Sequence, residues 1–324
     1  MSKRTDRRNF LKSLAISGAA VTSVSAATEP KKKMRVPRRK LGETGARTSI
    51  LGLGLGSMFW KPFGDKPDEA VEILMKAFSH GINYWDTARN YDNSELLVGP
   101  AAEKVREKIF LVSKSGSRDY DGFMRDLETS LKSLRTDHLD LYHLHSMEPK
   151  KDTDMDMIGK GAVRAALKAK DEGMIKNFGF TGHSGPAILI ECIERWNPDV
   201  VMSTYPADRP DDGKYEDELL PVAKKHKVGM IAMKSVRYAR NTDWPAAQLV
   251  RYPMSLPGIT TTIVGLDSIA HLEENVAMAS NFTPMKKEEM ASFSSTVKSE
   301  LATMGDAPWM HPEYEDGVSS KRWV

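Results

Sequence analysis

Four side chains in this sequence carry proton chemistry at or just beyond short apolar runs. They are Asp86 and Tyr91 in NYWDTARNYDNSE (Asn83–Glu95), Lys114 in LVSKSG (Leu111–Gly116) and His145 in DLYHLH (Asp140–His145). Each run reads as a strand leading to a group that ionises or donates a proton. Strands lying side by side in a barrel bring all four to one rim. A phenol among an ammonium, a carboxylate and an imidazole is a proton-transfer device. A neighbouring cation favours the ionised phenol. That moves a group with an ordinary pKa of about 10 toward the range of a general acid. Each residue also has a plainer reading: an Asp86–Lys114 ion pair, a loop aromatic at Tyr91, core histidines at His143 and His145.

The elements that must position them read as alternating strands and helices, the pattern of a parallel sheet with crossover helices. The expected strands are Ile50–Leu55, Ile82–Asp86, Ile109–Ser113, Leu139–His145, Ile175–Thr181, Val200–Tyr205, Gly229–Met233 and Thr262–Val264. Helical spacing marks Asp68–Ser79, Phe123–Leu134, Ile158–Lys170, Gly185–Arg195, Lys214–His226, Pro245–Tyr252 and Ile269–Ala279. The alternation of these eight strands with crossover helices predicts a closed (β/α)8 TIM barrel, with an open doubly wound sheet as the alternative. Segments at Val36–Lys40 and Arg47–Ser49 predict an N-terminal hairpin plugging the barrel floor. The aromatic C-terminal end, DAPWMHPEYEDGVSSKRWV, predicts an ordered tail over the active-site mouth.

Residues 34–324 read as the barrel domain, and 40% hydrophobic content suffices for a full core. The formal charge of +3 is unevenly placed. Residues 1–26 carry Lys3, Arg4, Arg7, Arg8 and Lys12 against Asp6, a net of +4, which leaves −1 for the rest. A near-neutral body without a basic stripe argues against nucleic acid. The basic cluster Lys31–Lys33 and Arg35–Lys40 reads as solvated linker and hairpin. One cysteine, Cys192, excludes an intrachain disulfide and a cluster held by four thiolates.

The N-terminus reads as a targeting segment. DRRNFLK (Asp6–Lys12) pairs two arginines with Phe-Leu-Lys, and a weakly apolar run free of acidic residues follows through Ala27. Small residues at Val24–Ala27 suit a signal peptidase. This resembles a twin-arginine signal over residues 1–27, with 28–33 as a spacer, and implies export by the twin-arginine machinery to a periplasm.

The mature chain resembles the aldo-keto reductase superfamily. RRKLGETGARTSILGLGLGSM, NYWDTARNY, FLVSKSG, DLYHLH, KNFGFTGHS and TIVGLDSIAHLEENV fall in the family's order between about Met34 and Ala279. The resemblance implies a barrel that binds a nicotinamide cofactor, NADP(H) or NAD(H), without a Rossmann domain. It assigns Tyr91 as general acid toward a carbonyl oxygen, Lys114 held by Asp86 as its tuner, and His145 as the donor that orients the carbonyl. Cofactor contacts carried over are Ser57, Asp86, Thr181, Lys234, Leu266, Asp267, Glu274 and Asn275. Gly182 replaces the family's usual Asn, Met202 its Gln, and Met233 its stacking aromatic. Asp267, with Gly265 and His271, lies where cations often grip a 2′-phosphate, so a strong preference for NADPH is not expected. Phe59 and Trp60 are candidates for an aromatic substrate pocket that suits a sugar ring or an aryl aldehyde equally. Two rivals stay open: a metal-dependent hydrolase using His143 and His145, and a low-turnover nicotinamide-binding redox sensor.

Overall fold

The computed structural model describes residues 34–209, 213–236 and 244–302. A short antiparallel hairpin, β1 (Arg38–Lys40) and β2 (Arg47–Ser49), precedes eight parallel strands. These are β3 (Leu51–Gly54), β4 (Tyr84–Asp86), β5 (Phe110–Ser115), β6 (Leu141–Leu144), β7 (Phe178–Thr181), β8 (Val200–Thr204), β9 (Gly229–Met233) and β10 (Ile259–Gly265). Pairing of β10 with β3, from Thr262↔Leu51 to Gly265↔Gly54, closes the barrel and removes the open-sheet alternative. All eight expected strands are present. Their bounds shift: Lys114 lies inside β5, His145 falls one residue past β6, and β10 is longer than its apolar run suggests.

Strand alternation divides the barrel strands between two cores. Tyr84, Phe110, Val112, Leu141, Val200, Met202, Ile231 and Met233 fill the interior. Their strand neighbours, such as Trp85, Leu111, Tyr142, Phe180 and Val201, pack outward among the helices. The hairpin supplies the floor. Leu41, wholly buried, joins the interior cluster. Gly42 follows it with φ +47, and a Cβ there would lie 2.5 Å from the Gly229 nitrogen, so a left-handed glycine is what lets the turn sit on the barrel base.

The helices are α1 (Ser57–Phe63), α2 (Pro67–Ser79), α3 (Ser94–Val105), α4 (Tyr120–Ser133), α5 (Met155–Ile158), α6 (Arg164–Asp171), α7 (Pro186–Trp196), α8 (Leu220–Lys225), α9 (Ala246–Ser255), α10 (Ile269–Ser280) and α11 (Lys287–Leu301). The sequence pattern passes over α1, α3 and α11. Pro62 and Pro100 interrupt the first two, and α3 buries much of its surface, which blurs amphipathic spacing. The single helix expected at Ile158–Lys170 is broken by a π turn at Gly159–Val163 with a non-helical Gly161. There the helix meets the loop before α4. A Cβ on Gly161 would lie 2.5 Å from the Arg118 carbonyl, and the Ala162 N–H donates to that same oxygen. The expected targeting segment and the expected ordered tail lie outside the described residues. Among the described residues no helix is long and apolar enough to cross a membrane.

Candidate active site

The alternation that fills the barrel also aims the chemistry. On β4, Tyr84 and Asp86 share the inward face while Trp85 turns out. On β5, Phe110, Val112 and Lys114 point in. The next inward positions are His143 and then His145 on and after β6, and Gly179 and Thr181 on β7. Cross-strand pairs Asp86↔Val112, Lys114↔His143 and Thr181↔Met202 set their heights. Asp86, Lys114, His145 and Thr181 thus converge at the carboxyl ends of the strands, the catalytic face of barrels of this kind.

Lys114 is the hub. Its Nζ donates to Asp86 Oδ1 at 2.6 Å and to the Thr87 carbonyl at 2.6 Å. It also lies 4.8 Å from the centroid of the Tyr91 ring. The Tyr91 ring meets the His145 imidazole edge-on, with centroids 5.5 Å apart at 77°. Lys114 and Asp86 are each only 1% exposed, so neither charge is stable there without the other. The ion pair is therefore more than a solvated surface contact.

Tyr91 rides on the loop between β4 and α3, and that loop is tied at many points. The Arg89 N–H donates to the Lys114 carbonyl at 3.0 Å. Arg89 pairs with the buried carboxylate of Glu95, which also accepts from Ser113 Oγ at 2.6 Å. Ser94 Oγ donates to the Leu55 carbonyl, and Asn93 Nδ2 to the Gly64 carbonyl. The ring edge faces Gly56, where an added Cβ would lie 3.4 Å from Tyr91 Cε2. Arg89, Glu95 and Ser113 carry no signal in the sequence that separates them from ordinary polar residues.

His143 stays in the barrel interior. Burial, then the nearby Lys114 and His145 charges, push its pKa well below the ordinary histidine value, so it is a neutral core imidazole. Among the described residues no three His, Cys, Asp or Glu side chains group as metal ligands, which leaves the His143/His145 chelate without a third donor.

The cofactor candidates occupy a neighbouring arc of the rim. Ser57 opens α1 after β3, Lys234 follows β9 with φ +60, and Leu266 and Asp267 follow β10. In the barrel β9, β10 and β3 are consecutive, so these residues sit together beside the tetrad strands. Thr181 Oγ1 accepts the Ser146 N–H at 2.8 Å and keeps its own proton to donate. The Leu266 side chain is buried, leaving its backbone for any contact. Asp267 holds the His271 imidazole at 2.6 Å across the first turn of α10. On that helix Glu274 faces solvent and Asn275 is buried with Leu272 and Val276. The donor set of hydroxyl, ammonium, amide and helix N-terminus fits a nicotinamide dinucleotide, which needs partners for a carboxamide, a pyrophosphate and an adenine.

Phe59 is wholly buried and packs on Phe63 with centroids 5.4 Å apart, a position in the core. Helical geometry turns adjacent residues about 100° apart, and only Trp60 stays half-exposed. Its indole N–H has no hydrogen-bond partner among the described residues.

A parallel eight-stranded barrel with a buried Lys–Asp pair beneath a tyrosine defines the class: a TIM-barrel enzyme equipped for proton transfer. Residues 50–244 match the aldo/keto reductase family, and the chain belongs to that family of oxidoreductases. It is 26% identical over 316 residues to the uncharacterized oxidoreductase YqkF of Bacillus subtilis, covering 82% of this chain and 97% of that one. It is 28% identical over 289 residues to L-galactose dehydrogenase of Arabidopsis thaliana, covering 75% and 88%. Among solved structures, the holo form of aldo-keto reductase AKR11C1 from Bacillus halodurans shares the fold with TM-score 0.68 at 24% identity, covering 81% and 96%. An aldo/keto reductase from Klebsiella pneumoniae in complex with NADP and acetate does so with TM-score 0.67 at 23% identity, covering 89% and 99%.

Proposed function

We propose that this protein interconverts a carbonyl compound and its alcohol with a nicotinamide cofactor, using Tyr91 as the general acid/base. The observation that carries this reading is the buried Lys114 ammonium, bonded to Asp86 and set under the Tyr91 ring. Reduction builds negative charge on the carbonyl oxygen, so preorganised donors aimed at that oxygen lower the barrier. Tyr91 gives its proton there. The Lys114 cation stabilises the phenolate left behind, and Asp86 keeps the lysine charged and in place. His145, edge-on to the Tyr91 ring, orients the carbonyl. Ser57, Lys234, Leu266, Asp267 and Asn275 would hold the cofactor on the β9–β10–β3 arc, with Thr181 at its carboxamide. When bound, the cofactor supplies hydride transfer.

Changing Tyr91→Phe tests the assignment. The phenol is the proposed proton donor, and loss of general-acid help costs roughly 10²–10⁴-fold. Steady-state reduction of a carbonyl panel should fall by that factor while NADPH still quenches or shifts protein fluorescence on binding. Full activity in the variant would reject the role. The panel should include aldoses and aryl aldehydes, because the L-galactose dehydrogenase relative supports sugars and the half-exposed Trp60 suits either class. The paired arginines of Asp6–Lys12 and the apolar run behind them support export of the folded enzyme by the twin-arginine route to a periplasm.

A further inference from the structure

We propose that Arg118 is a positioning residue for the carbonyl-orienting imidazole, acting through the backbone of His145 and Ser146. Arg118 stands in the loop between β5 and α4 and reaches across to the loop that follows β6. Its Nη2 donates to the His145 carbonyl at 3.0 Å and to the Ser146 carbonyl at 3.0 Å. The guanidinium is locked from the other side by Asp152, through Nε to Oδ1 at 2.5 Å and Nη2 to Oδ2 at 2.9 Å. The Asp152 carboxylate, 3% exposed, also accepts the Glu148 N–H at 2.8 Å, so it closes the same loop on itself. Arg118 is itself fixed where its carbonyl takes the Ala162 N–H at the broken helix.

The clamped segment is flanked by two backbone ties, the His145 N–H on the Ser115 carbonyl at 2.8 Å and the Met147 N–H on the Thr181 carbonyl at 2.7 Å, which leave the carbonyls of His145 and Ser146 to Arg118. A cleft of about 730 Å³, lined by Asp152, Thr153, Met155 and Ile188 among others, lies beside the later part of this loop. Ser146 sits in the left-handed region with φ +53, a conformation that a serine keeps only when its surroundings impose it. What imposes it is visible: its N–H on Thr181 Oγ1, its carbonyl on Arg118 and its Oγ 3.0 Å from His183 Nε2. The residue after the imidazole is thus tied to the strand that carries the proposed carboxamide partner. A planar fork that grips a carboxylate with one edge and carbonyls with the other is a role for arginine that lysine does not reproduce.

The inference rests on His145 being the orienting donor, and the experiment separates the two claims. Compare Arg118→Met, Arg118→Lys, Asp152→Asn, His145→Gln and the Arg118→Met/His145→Gln double variant, with 4-nitrobenzaldehyde and NADPH as probes. Misplacing a catalytic group by about an ångström costs up to roughly 10²-fold. We expect kcat to fall roughly 10- to 100-fold in Arg118→Met, less in Arg118→Lys and Asp152→Asn, with NADPH affinity changed less than about threefold. In the His145→Gln background the same arginine change should cost less than about threefold, since the group it positions is already gone. Amide exchange of Ser146 in the cofactor-free protein should accelerate in Arg118→Met, or in Asp152→Asn should the methionine variant not fold. Equal losses in both backgrounds, or unchanged kcat and exchange in Asp152→Asn and Arg118→Met, would overturn the proposal. Full activity in His145→Gln would overturn the orienting role and the brace with it.

Discussion

Tyr84 and Tyr91 lie on either side of Asp86 in the sequence and meet opposite fields. Burial, then the Asp86 charge, holds the Tyr84 phenol well above the ordinary range, so it remains a neutral filler of the barrel. Tyr91 faces the Lys114 cation instead. Asp86, Lys114 and His145 were legible in sequence because each is a polar interruption on the inward face of an apolar strand, where solvation alone would never place it. The burial of Phe59 was not, since one helical step separates a core position from a half-exposed one and a seven-residue helix has no clear phase in the sequence. Nor was Arg118, one of many surface-type arginines until its partners are known. At the 2′-phosphate position the residues make a sharper statement. Asp267 is bonded to His271 and no glycine side chain exists at 265 to add a cation. A carboxylate there repels a phosphate. NADH should therefore bind within about tenfold of NADPH, a difference of about 1.4 kcal/mol or less. Titrating both cofactors checks this, and a preference of about a hundredfold for NADPH would mean that other loops supply the clamp.

Elements were easier to read than their connections. Strands of alternating or continuous apolar residues bounded by glycine and polar residues announce themselves, and β9 falls on its expected residues. The helix expected after β6 splits because Gly161 sits where the loop before α4 needs room, a tertiary demand that helical spacing does not record. The loop after β8 shows how such a connection bears on stability. Burial raises the Asp208 carboxyl from 3.8 to about 6, outweighing its own backbone N–H and the Lys298 charge on α11. Because the folded value lies above the unfolded one, the folded state binds the proton more tightly. Its contribution to stability is complete below about pH 4 and is lost as pH rises through 6. The displacement corresponds to at most about 3 kcal/mol. Asp208→Asn should therefore be more stable than the parent at pH 8, by up to that amount, and the gap should shrink as pH falls to 4. Thermal unfolding of both proteins at pH 4, 6 and 8 measures the gap. A gap that stays constant with pH would mean that Asp208 is well solvated.

At the scale of the whole molecule, the barrel has a closed floor, and the proposed twin-arginine export has a consequence for its cofactor. Leu41 and the β1–β2 turn seal the amino end of the barrel, and the Arg39 guanidinium donates to the Met254 and Ile259 carbonyls, stitching the hairpin to α9 and β10. Such a fold is complete before translocation under the twin-arginine reading, so a cofactor bound in the cytoplasm travels with it. Once exported, the enzyme has no cytoplasmic pool from which to replace that cofactor. Sustained turnover then requires that the dinucleotide stay bound and be regenerated in place. One substrate would be oxidised as another is reduced, or a single molecule would be oxidised and reduced at two of its own carbons. Slow release calls for a binding free energy that outlasts desalting: a dissociation constant near 1 nM corresponds to about −12 kcal/mol. Protein recovered from the periplasmic fraction, desalted and then denatured, should release nicotinamide dinucleotide close to one per chain. Empty protein from that fraction, or protein confined to the cytoplasm, would defeat the retained-cofactor idea and leave the oxidoreductase assignment standing, because Asp86, Tyr91, Lys114 and His145 serve an exchanging cofactor equally well.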